Sequence, residues 1–593
     1  MKSLLPTLRS SLIIVLLVPA SLFAQYTVHC PYLQNPSLAI GYIDSCAAFW
    51  ENSWDSERGG YYTNVDRMGF LIPDWGTNKN MLNQSRNAYG LVRAYMVTGD
   101  TTYLDRAHDA LVWMIDHAWD QTEDGWIQRL DQNGVPIYAN DTKTAFYQHY
   151  ALLGIAAYVE ATQDSAMWSW LLRGYQYVED YMWDDRSGVE GYYNQVSRFG
   201  TNPQGKSFNA TVDAVTTHLL ALERLTGEQK YVDRLRQVGD EMVNQLVARI
   251  GTVAIGFPQE FDSDWNVDSS QTQTLMGHVL KTGWCLARLQ QVITDPAWLP
   301  AAETAVLEVW NKGYDHTYGG PYKDYDWKTG EEMTYNQDPG VKAWWQMEQA
   351  VTAGLQLYRL TRDDRYLEMA DETLDFFMNY FVDHIYGEVY ADRTRLGATV
   401  PGWGDSKASD GKAGYHSIET GYYTYTYGGL MLTGDPVSLH YRIAPADSDR
   451  ILLMRPIALD DNLFTIAAVT LDSAAYEYFD ATAHMLTIPA GTGGEFVVTY
   501  QGDITTGAPE ILYAGLPSRI TIANAYPNPF NGRATVVFNL PSRQNVRLVL
   551  YDVQGREVQR IVDGIGGAGQ NVATVDASRL SSGVYFLHLA TAR

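Results

Sequence analysis

Cysteine is scarce in this chain: its 593 residues include three, Cys30, Cys46 and Cys285. That excludes a disulfide-stapled scaffold and, with no ligand spacing among them, a cysteine-based metal site. Cys30 and Cys46 are the candidate pair in an oxidising compartment, their separation in space being undetermined by sequence. Cys285, between Trp284 and Leu286, reads as a buried core thiol. Basic residues are also short, 43 Lys and Arg against 69 Asp and Glu, for a formal charge of −26. Nucleic acid is thereby excluded as a partner, because its phosphates need a basic surface. No apolar run after the first 24 residues is long enough to cross a bilayer, so no stable membrane insertion is expected. Residues 1–24 themselves have the form of a signal peptide: Lys2 and Arg9, an apolar run over 12–18, then a small-residue finish to Ala24.

What the chain has in quantity is aromatic surface, 13% of residues with 17 Trp and 41 Tyr, side chains that serve equally as core and as stacking faces for sugar rings. One phrase returns along the chain: an aromatic or apolar residue, Asp, several polar residues, Gly, then another aromatic. It stands as WDSERGGYY at Trp54, WDQTEDGW at Trp119, WDDRSGVEGYY at Trp183, YDHTYGGPY at Tyr314 and VDHIYGEVY at Val382. The degenerate FPQEFDSDW from Phe257 fills the double gap, giving six units at a period of about 65 residues. Between these phrases apolar residues recur at helical spacing, broken by TGD or TRD turns. Each unit is therefore a helical hairpin, and six hairpins closed into a ring make an all-α (α/α)6 barrel over residues 30–432. An open solenoid is the alternative.

From about residue 433 the pattern alternates, as in SLHYRIAP and GEFVVTYQ, which predicts a small β domain over 433–505. A linker over 506–520 leads to a second alternating region over 521–593.

The repeated phrases lie at a common end of the hairpins, so the barrel mouth is expected to be aromatic and polar, a fitting place for a sugar. For the Asp residues, a repeated turn is the simpler account. His218, His278 and His416 each enter an inner-type apolar helix at that end, as do Arg86 in NQSRNAYG, Glu348 in KAWWQMEQA and Glu419 one turn beyond His416. Singly, each has an ordinary structural account, a hydrogen-bonded core histidine or an ion pair; together they suggest convergence on one site.

SRNAYGLVRAY, HLLALERL, MGHVLK, KAWWQMEQA and KAGYHSIE, in this order over roughly 35–430, resemble the N-acylglucosamine 2-epimerase family, which includes cellobiose 2-epimerases and aldose–ketose isomerases. The resemblance implies that Arg86, His218, His278 and His416 surround a carbohydrate substrate, with no cofactor and no metal. Epimerisation beside an aldehyde removes the C2 proton, passes through an enediolate and returns a proton to the opposite face. Two imidazoles can do this because they titrate near operating pH. His278 and His416 are that pair, Arg86 holds the oxyanion, and His218 orients a hydroxyl or assists ring opening. Glu348 and Glu419 tune the imidazoles, and Trp344, Trp345 and Trp403 are candidate stacking faces. Two departures bear on substrate. Lys281 stands where such enzymes carry Glu three residues after the first catalytic His, and is expected to depress the His278 pKa. Ser417 and Glu419 replace the usual Asn and Arg.

The tail phrases YPNPFN, YDVQGREV and SSGVYFLHL resemble the type IX secretion C-terminal sorting domain, an immunoglobulin-like β unit. That implies export and contact with the type IX machinery; the family usually continues with a final basic strand where this sequence reaches Arg593, so the expectation is either that the last strand is missing or that the signal is incomplete. Two other readings are an (α/α)6 glycoside hydrolase using paired carboxylates drawn from Asp141, Asp213, Asp262 and Asp264, and a non-catalytic carbohydrate-binding protein.

Overall fold

The computed structural model describes residues 26–137, 142–334, 339–401, 405–456 and 461–502, and in the tail 520–526, 533–540, 544–566, 569–576, 580 and 583–591. The helix breaks predicted from TGD and its variants form as expected. Gly99, Gly227 and Gly434 take the left-handed conformation that ends a helix, and Asp100, Asp164 and Asp363 cap the next by accepting from its backbone N–H groups.

Four hairpin turns with a left-handed helix end, at Gly99, Gln163, Gly227 and Arg362, and a fifth with an extended Ile293 organise the barrel helices. In chain order these are α1 (Leu38–Trp50), α2 (Met81–Thr98), α3 (Thr101–Ala118), α4 (Ala145–Thr162), α5 (Ser165–Met182) and α6 (208–226, with a π turn at Val215–Leu219). There follow α7 (Gln229–Glu241, extended by Met242–Leu246), α8 (Met276–Val292), α9 (Trp298–Lys312), α10 (Trp344–Thr361), α11 (Asp364–Phe376, extended by Phe377–Phe381) and α12 (Gly414–Tyr427, extended by Gly428–Thr433). Even-numbered helices are buried nearly all round and touch one another in sequence, α2 to α4 to α6 to α8 to α10 to α12, and α12 returns to α2. Odd-numbered helices bury one stripe against them, the amphipathic pattern of an outer layer. The sixth pair is not a hairpin: α12 packs on α1, so the two ends of the barrel sequence meet and close the (α/α)6 ring. Backbones of the inner ring approach closely. A Cβ on Gly90 of α2 would lie 2.4 Å from the Gly414 carbonyl of α12, and one on Gly154 of α4 would lie 2.5 Å from the Ser85 carbonyl of α2.

Long loops run from each outer helix to the next inner one, and they hold the repeated phrase. In five of them the phrase is one turn, whose Asp (Asp55, Asp120, Asp184, Asp315 or Asp383) accepts from backbone N–H groups of the turn. Each Asp also pairs with a buried lysine: Lys79, Lys143, Lys206, Lys342 and Lys407 respectively, at 2.8–3.3 Å. Four of these lysines stand two residues before an inner helix, so the clamp ties each loop to the start of the helix it feeds. Glu388 stands where three of the loops have Gly60, Gly125 and Gly320, at φ 58°. That conformation costs a side-chain residue about 1 kcal/mol, and it is offset by bonds to Lys412 Nζ (2.9 Å), Trp50 Nε1 (3.1 Å) and Ser417 Oγ (2.9 Å). The fourth loop departs from expectation. FPQEFDSDW does not form this turn; Asp262 caps a second, separate turn that recurs at Asp66 and Asp131, and Thr274 occupies the lysine position.

Strands follow the barrel. β1 (Val437–Ile443), β5 (Gly494–Gly502) and β3 (Phe464–Leu471) form one antiparallel sheet in that order, faced by β2 (Arg450–Leu453) and β4 (Met485–Ile488). Their inward residues, among them Leu439, Tyr441 and Phe496, join the same buried cluster as the barrel. The tail makes a separate sandwich. Its sheets are β6 (Thr521–Tyr526), β7 (Arg533–Leu540) and β10 (Gly569–Asp576), against β9 (Glu557–Gly566), β8 (Gln544–Asp552) and β11 (Tyr585–Thr591). Val536, Phe538, Val546 and Leu548 fill its own core. The signal-peptide residues, the linker over 506–519 and most of YPNPFN lie outside the described residues. Cys30, Cys46 and Cys285 are all free and buried, so the candidate pairing of Cys30 with Cys46 is not formed.

Candidate active site

A cavity of about 200 Å³ opens at the N-terminal end of the inner helices, and all six contribute to it: Arg86 (α2), Phe146 and Tyr150 (α4), Asn209 and Asp213 (α6), His278 and Lys281 (α8), Trp344 and Trp345 (α10) and His416 (α12), with Gly411 from the last loop. Every helical member falls in the first two turns of its helix, where the clamped loops fix the chain. Such an assembly directs six sets of helix N-terminal N–H groups toward one space, an environment that favours negative charge.

His278 stacks on Phe208 with ring centroids 3.8 Å apart and 13° between planes, and its Nδ1 meets Gln259 Oε1 at 2.6 Å. A carbonyl oxygen accepts, so Nδ1 carries the proton and Nε2 keeps the lone pair. Burial pushes the pKa down to about 3; Asp213 opposes the shift and Lys281 adds to it. The expected effect of Lys281 is therefore the smaller part. Its Nζ donates to Asp213 Oδ1 at 2.6 Å, which holds the ammonium charged against its burial, and to Tyr150 OH at 3.2 Å. Although burial alone would raise the Asp213 pKa, Lys281 and the Asn209 amide, at 2.8 Å, keep it low.

His416 is held on the other side of Trp345's neighbourhood: the Trp345 ring is 5.1 Å from His278 and 6.1 Å from His416 by centroids. His416 Nδ1 lies 3.3 Å from Glu348 Oε2. Burial, then Arg86, Lys281 and Lys412, hold the imidazole well below its usual range, while burial and the Glu419 carboxylate push Glu348 up. The contact is thus a neutral hydrogen bond rather than an ion pair. Glu348 Oε1 accepts from Thr352 Oγ1 at 2.6 Å, and Glu419 Oε1 from Tyr89 OH at 2.6 Å. Glu348, His416 and Glu419 bring three ligand-type atoms within 4.8 Å of one another, and those of Glu348 and His416 are already engaged with each other. Arg86 donates to the Gly411 carbonyl at 2.6 Å, and its guanidinium sits 4.2 Å from the Tyr150 ring centroid.

Arg86, His278, Lys281, Trp344, Trp345 and His416 meet at the cavity; Glu348 and Glu419 lie behind His416. His218 does not reach it. The π turn of α6 sends that ring between helices, where it stacks on His149 at 5.2 Å, approaches Tyr175 of the outer layer and meets Thr217 Oγ1 at 3.0 Å. Trp403 and Asp141 lie outside the described residues. Of the described carboxylates in the hydrolase reading, Asp213 is at the cavity, whereas Asp262 caps an exposed turn and Asp264 pairs with Arg186 at 2.8 Å. Sequence reading missed Gln259, Asn209 and Tyr150 altogether and took Asp213 only as a hydrolase carboxylate. The i, i+4 spacing of Asn209 and Asp213 on an inner helix was the available signal.

The fold and the site together define an (α/α)6 barrel with an imidazole-bearing cavity at the N-terminal end of its inner helices. Residues 60–420 match the N-acylglucosamine 2-epimerase (GlcNAc 2-epimerase) family, and residues 524–593 match the secretion system C-terminal sorting domain. The chain belongs to the N-acylglucosamine 2-epimerase family. It is 23% identical to a cellobiose 2-epimerase of Bacteroides fragilis over 62% of this chain and 93% of that one, and 20% identical to a D-mannose isomerase of Marinomonas mediterranea over 66% and 97%. A solved D-mannose isomerase shares the fold with a TM-score of 0.59 at 18% identity, over 67% of this chain and 99% of that one. For the cellobiose 2-epimerase of Bacillus thermoamylovorans the TM-score is 0.58 at 16% identity, over 67% and 99%.

Proposed function

We propose that this protein is an exported sugar 2-epimerase or aldose–ketose isomerase that acts on a reducing mono- or oligosaccharide. The observation that carries the reading is the presence of two neutral imidazoles, His278 and His416, on different inner helices around one cavity, with Arg86 on the inner helix next to that of His416. One imidazole Nε2 takes the C2 proton of the open-chain sugar, the electron pair moves into the C1–C2 bond, and the carbonyl oxygen becomes an enediolate oxygen. Arg86, Lys281 and the helix N-termini stabilise that charge. With His278 as base and His416 as donor, His416 Nε2–H returns a proton to the opposite face of C2 while the neutral Glu348 carboxyl passes its proton to Nδ1, which gives the epimer; return of the His278 proton to C1 with transfer of the O2 proton to O1 gives the ketose. Glu348 positions His416 through Nδ1 and, being held neutral, leaves the ring without a full counter-charge. Names and family of the relatives support a carbohydrate isomerase. The signal-peptide-like start and the tail match support delivery outside the cell by the type IX route.

Proton NMR in deuterated water on glucose, mannose, N-acetylglucosamine, cellobiose and mannobiose tests this. Deuterium is expected at C2 together with a new epimer or ketose, and His278→Ala and His416→Ala are each expected to slow exchange at least about 100-fold. Exchange that persists in both variants, or release of reducing ends from polysaccharide without exchange, overturns the histidine mechanism.

A further inference from the structure

The seam where the ring closes, between α12 and α1, is pinned by one carboxylate. Glu388 is fully buried. Its Oε1 accepts from Lys412 Nζ, two residues before α12, at 2.9 Å. Its Oε2 accepts from Trp50 Nε1 at the end of α1 (3.1 Å) and from Ser417 Oγ in the first turn of α12 (2.9 Å), so three segments are tied to one side chain. The turn that carries Glu388 is seated on α1 as well: a Cβ on Gly387 would lie 2.4 Å from the Ser45 carbonyl. Tyr42 OH of the same helix donates to the Ser417 carbonyl at 2.8 Å, which holds Ser417 through its backbone as Glu388 does through its side chain.

This arrangement goes beyond what the turn needs in order to form. In the loops before α2, α4, α6 and α10, the lysine two residues ahead of the inner helix pairs with the Asp of the turn. Before α12 that Asp, Asp383, is taken by Lys407, and Lys412 in the usual lysine position pairs with Glu388 instead. The loop thus carries a second buried ion pair, built on a residue at φ 58° where three other loops have glycine. Burying two charges and bending a side-chain residue into the left-handed region both oppose folding, and residues held in that way gather where function needs a fixed geometry. What Glu388 fixes lies next to the chemistry. Ser417 adjoins His416, and Lys412 Nζ stands 5.5 Å from the ring centroid of Trp344, which lines the cavity. The other imidazole is held by different groups, His278 by Phe208 and Gln259, so a change at Glu388 acts on one imidazole and not on the other.

We infer that Glu388 is a positioning residue for His416: it fixes the first turn of α12 so that this imidazole meets the substrate at the distance that proton transfer needs. The inference rests on the reading of the histidine cavity as a sugar epimerase site, and it predicts a one-sided defect. Each C2 epimer presents its proton to a different imidazole. Misplacing His416 therefore slows exchange from one epimer and spares the other, whereas general damage to the fold slows both. Deuterium entry at C2 is measured from both epimers of a pair, glucose with mannose and cellobiose with its C2 epimer, together with a thermal melt of each protein. The proteins are the full-length chain and its Glu388→Gln, Glu388→Gly, and Glu388→Gly with Lys412→Met variants, the last removing the lysine that Glu388→Gly leaves buried without its partner. With glycine at 388, with or without the lysine change, kcat for exchange is expected to fall at least about tenfold from one epimer and to stay within about twofold from the other, with a smaller loss for Glu388→Gln. Equal losses from both epimers, or no loss in variants that melt as folded proteins, overturn the inference and leave the proton-abstraction reading standing. Exchange on neither pair by the unaltered protein overturns that reading and the inference with it.

Discussion

Lys281 shows how a residue's worth depends on its partner. Its ammonium and the Asp213 carboxylate are both buried, 2.6 Å apart, so their attraction is set against the desolvation of two ions. Lys281→Met is expected to cost about 3–5 kcal/mol, because it strands a buried carboxylate, whereas Lys281→Met with Asp213→Asn should recover most of that. Urea unfolding of the two single variants and the double variant measures the coupling. A second residue-scale consequence concerns His149, whose pKa burial lowers to about 4. The unfolded chain takes up that proton below about pH 6.5 while the native chain does not until about pH 4. This histidine therefore costs nothing above pH 6.5 and destabilises progressively as pH falls from 6.5 toward 4. Relative to His149→Asn, the unaltered protein should lose about 3 kcal/mol over that window in denaturant titrations run at several pH values. Of the site residues, the histidines and Arg86 were legible because each opens an apolar helix. Their partners were not: Gln259 reaches His278 from a loop 19 residues earlier, and Glu388 reaches Lys412 from another.

The inner helices owe their precision to what sits where they touch. Gly90 lets α2 approach the Gly414 carbonyl at the start of α12, two residues before His416. Gly90→Ala places a methyl 2.4 Å from that oxygen, which forces the helices apart. Such overpacking is expected to cost about 1–3 kcal/mol and to slow C2 exchange by moving His416 relative to His278; thermal melts and exchange rates on the same preparation check both effects. At this scale the sequence pattern was informative. The 65-residue phrase marked the loops, and the simpler account of its Asp residues, a turn repeated, is what the clamps show in five loops. It misled in the fourth loop, because a run of Asp and aromatic residues fits either of two turns and only the backbone distinguishes them. It also misplaced His218: a helix position near the mouth faces the cavity or the outer layer according to local winding, and the π turn at Val215–Leu219 rotates this one away.

Across the whole molecule, the first β unit and the tail differ in how they are held. β1 packs on α2 and α4, Tyr95 OH donates to Glu495 at 2.8 Å and Arg224 pairs with Asp461 at 3.1 Å, so the first unit and the barrel share one core. The tail fills a core of its own. Calorimetry is expected to show the tail unfolding independently. Removing residues 520–593 should leave the barrel's melting temperature within about 2 °C, whereas removing 437–593 should lower it well beyond that by baring the α2 and α4 surface.

The sequence by itself determined the ring of helical hairpins, the strands after it and the family, because periodicity, turn residues and ordered motifs are local and survive being read one window at a time. Tertiary structure decided the rest. That α12 and α1 complete the sixth pair, that Lys281 answers Asp213, that His218 turns outward and that Glu388 pins the start of α12 all depend on contacts between residues far apart in the chain. Those contacts exist only once the ring closes, and closure is set by packing that no single stretch of sequence contains.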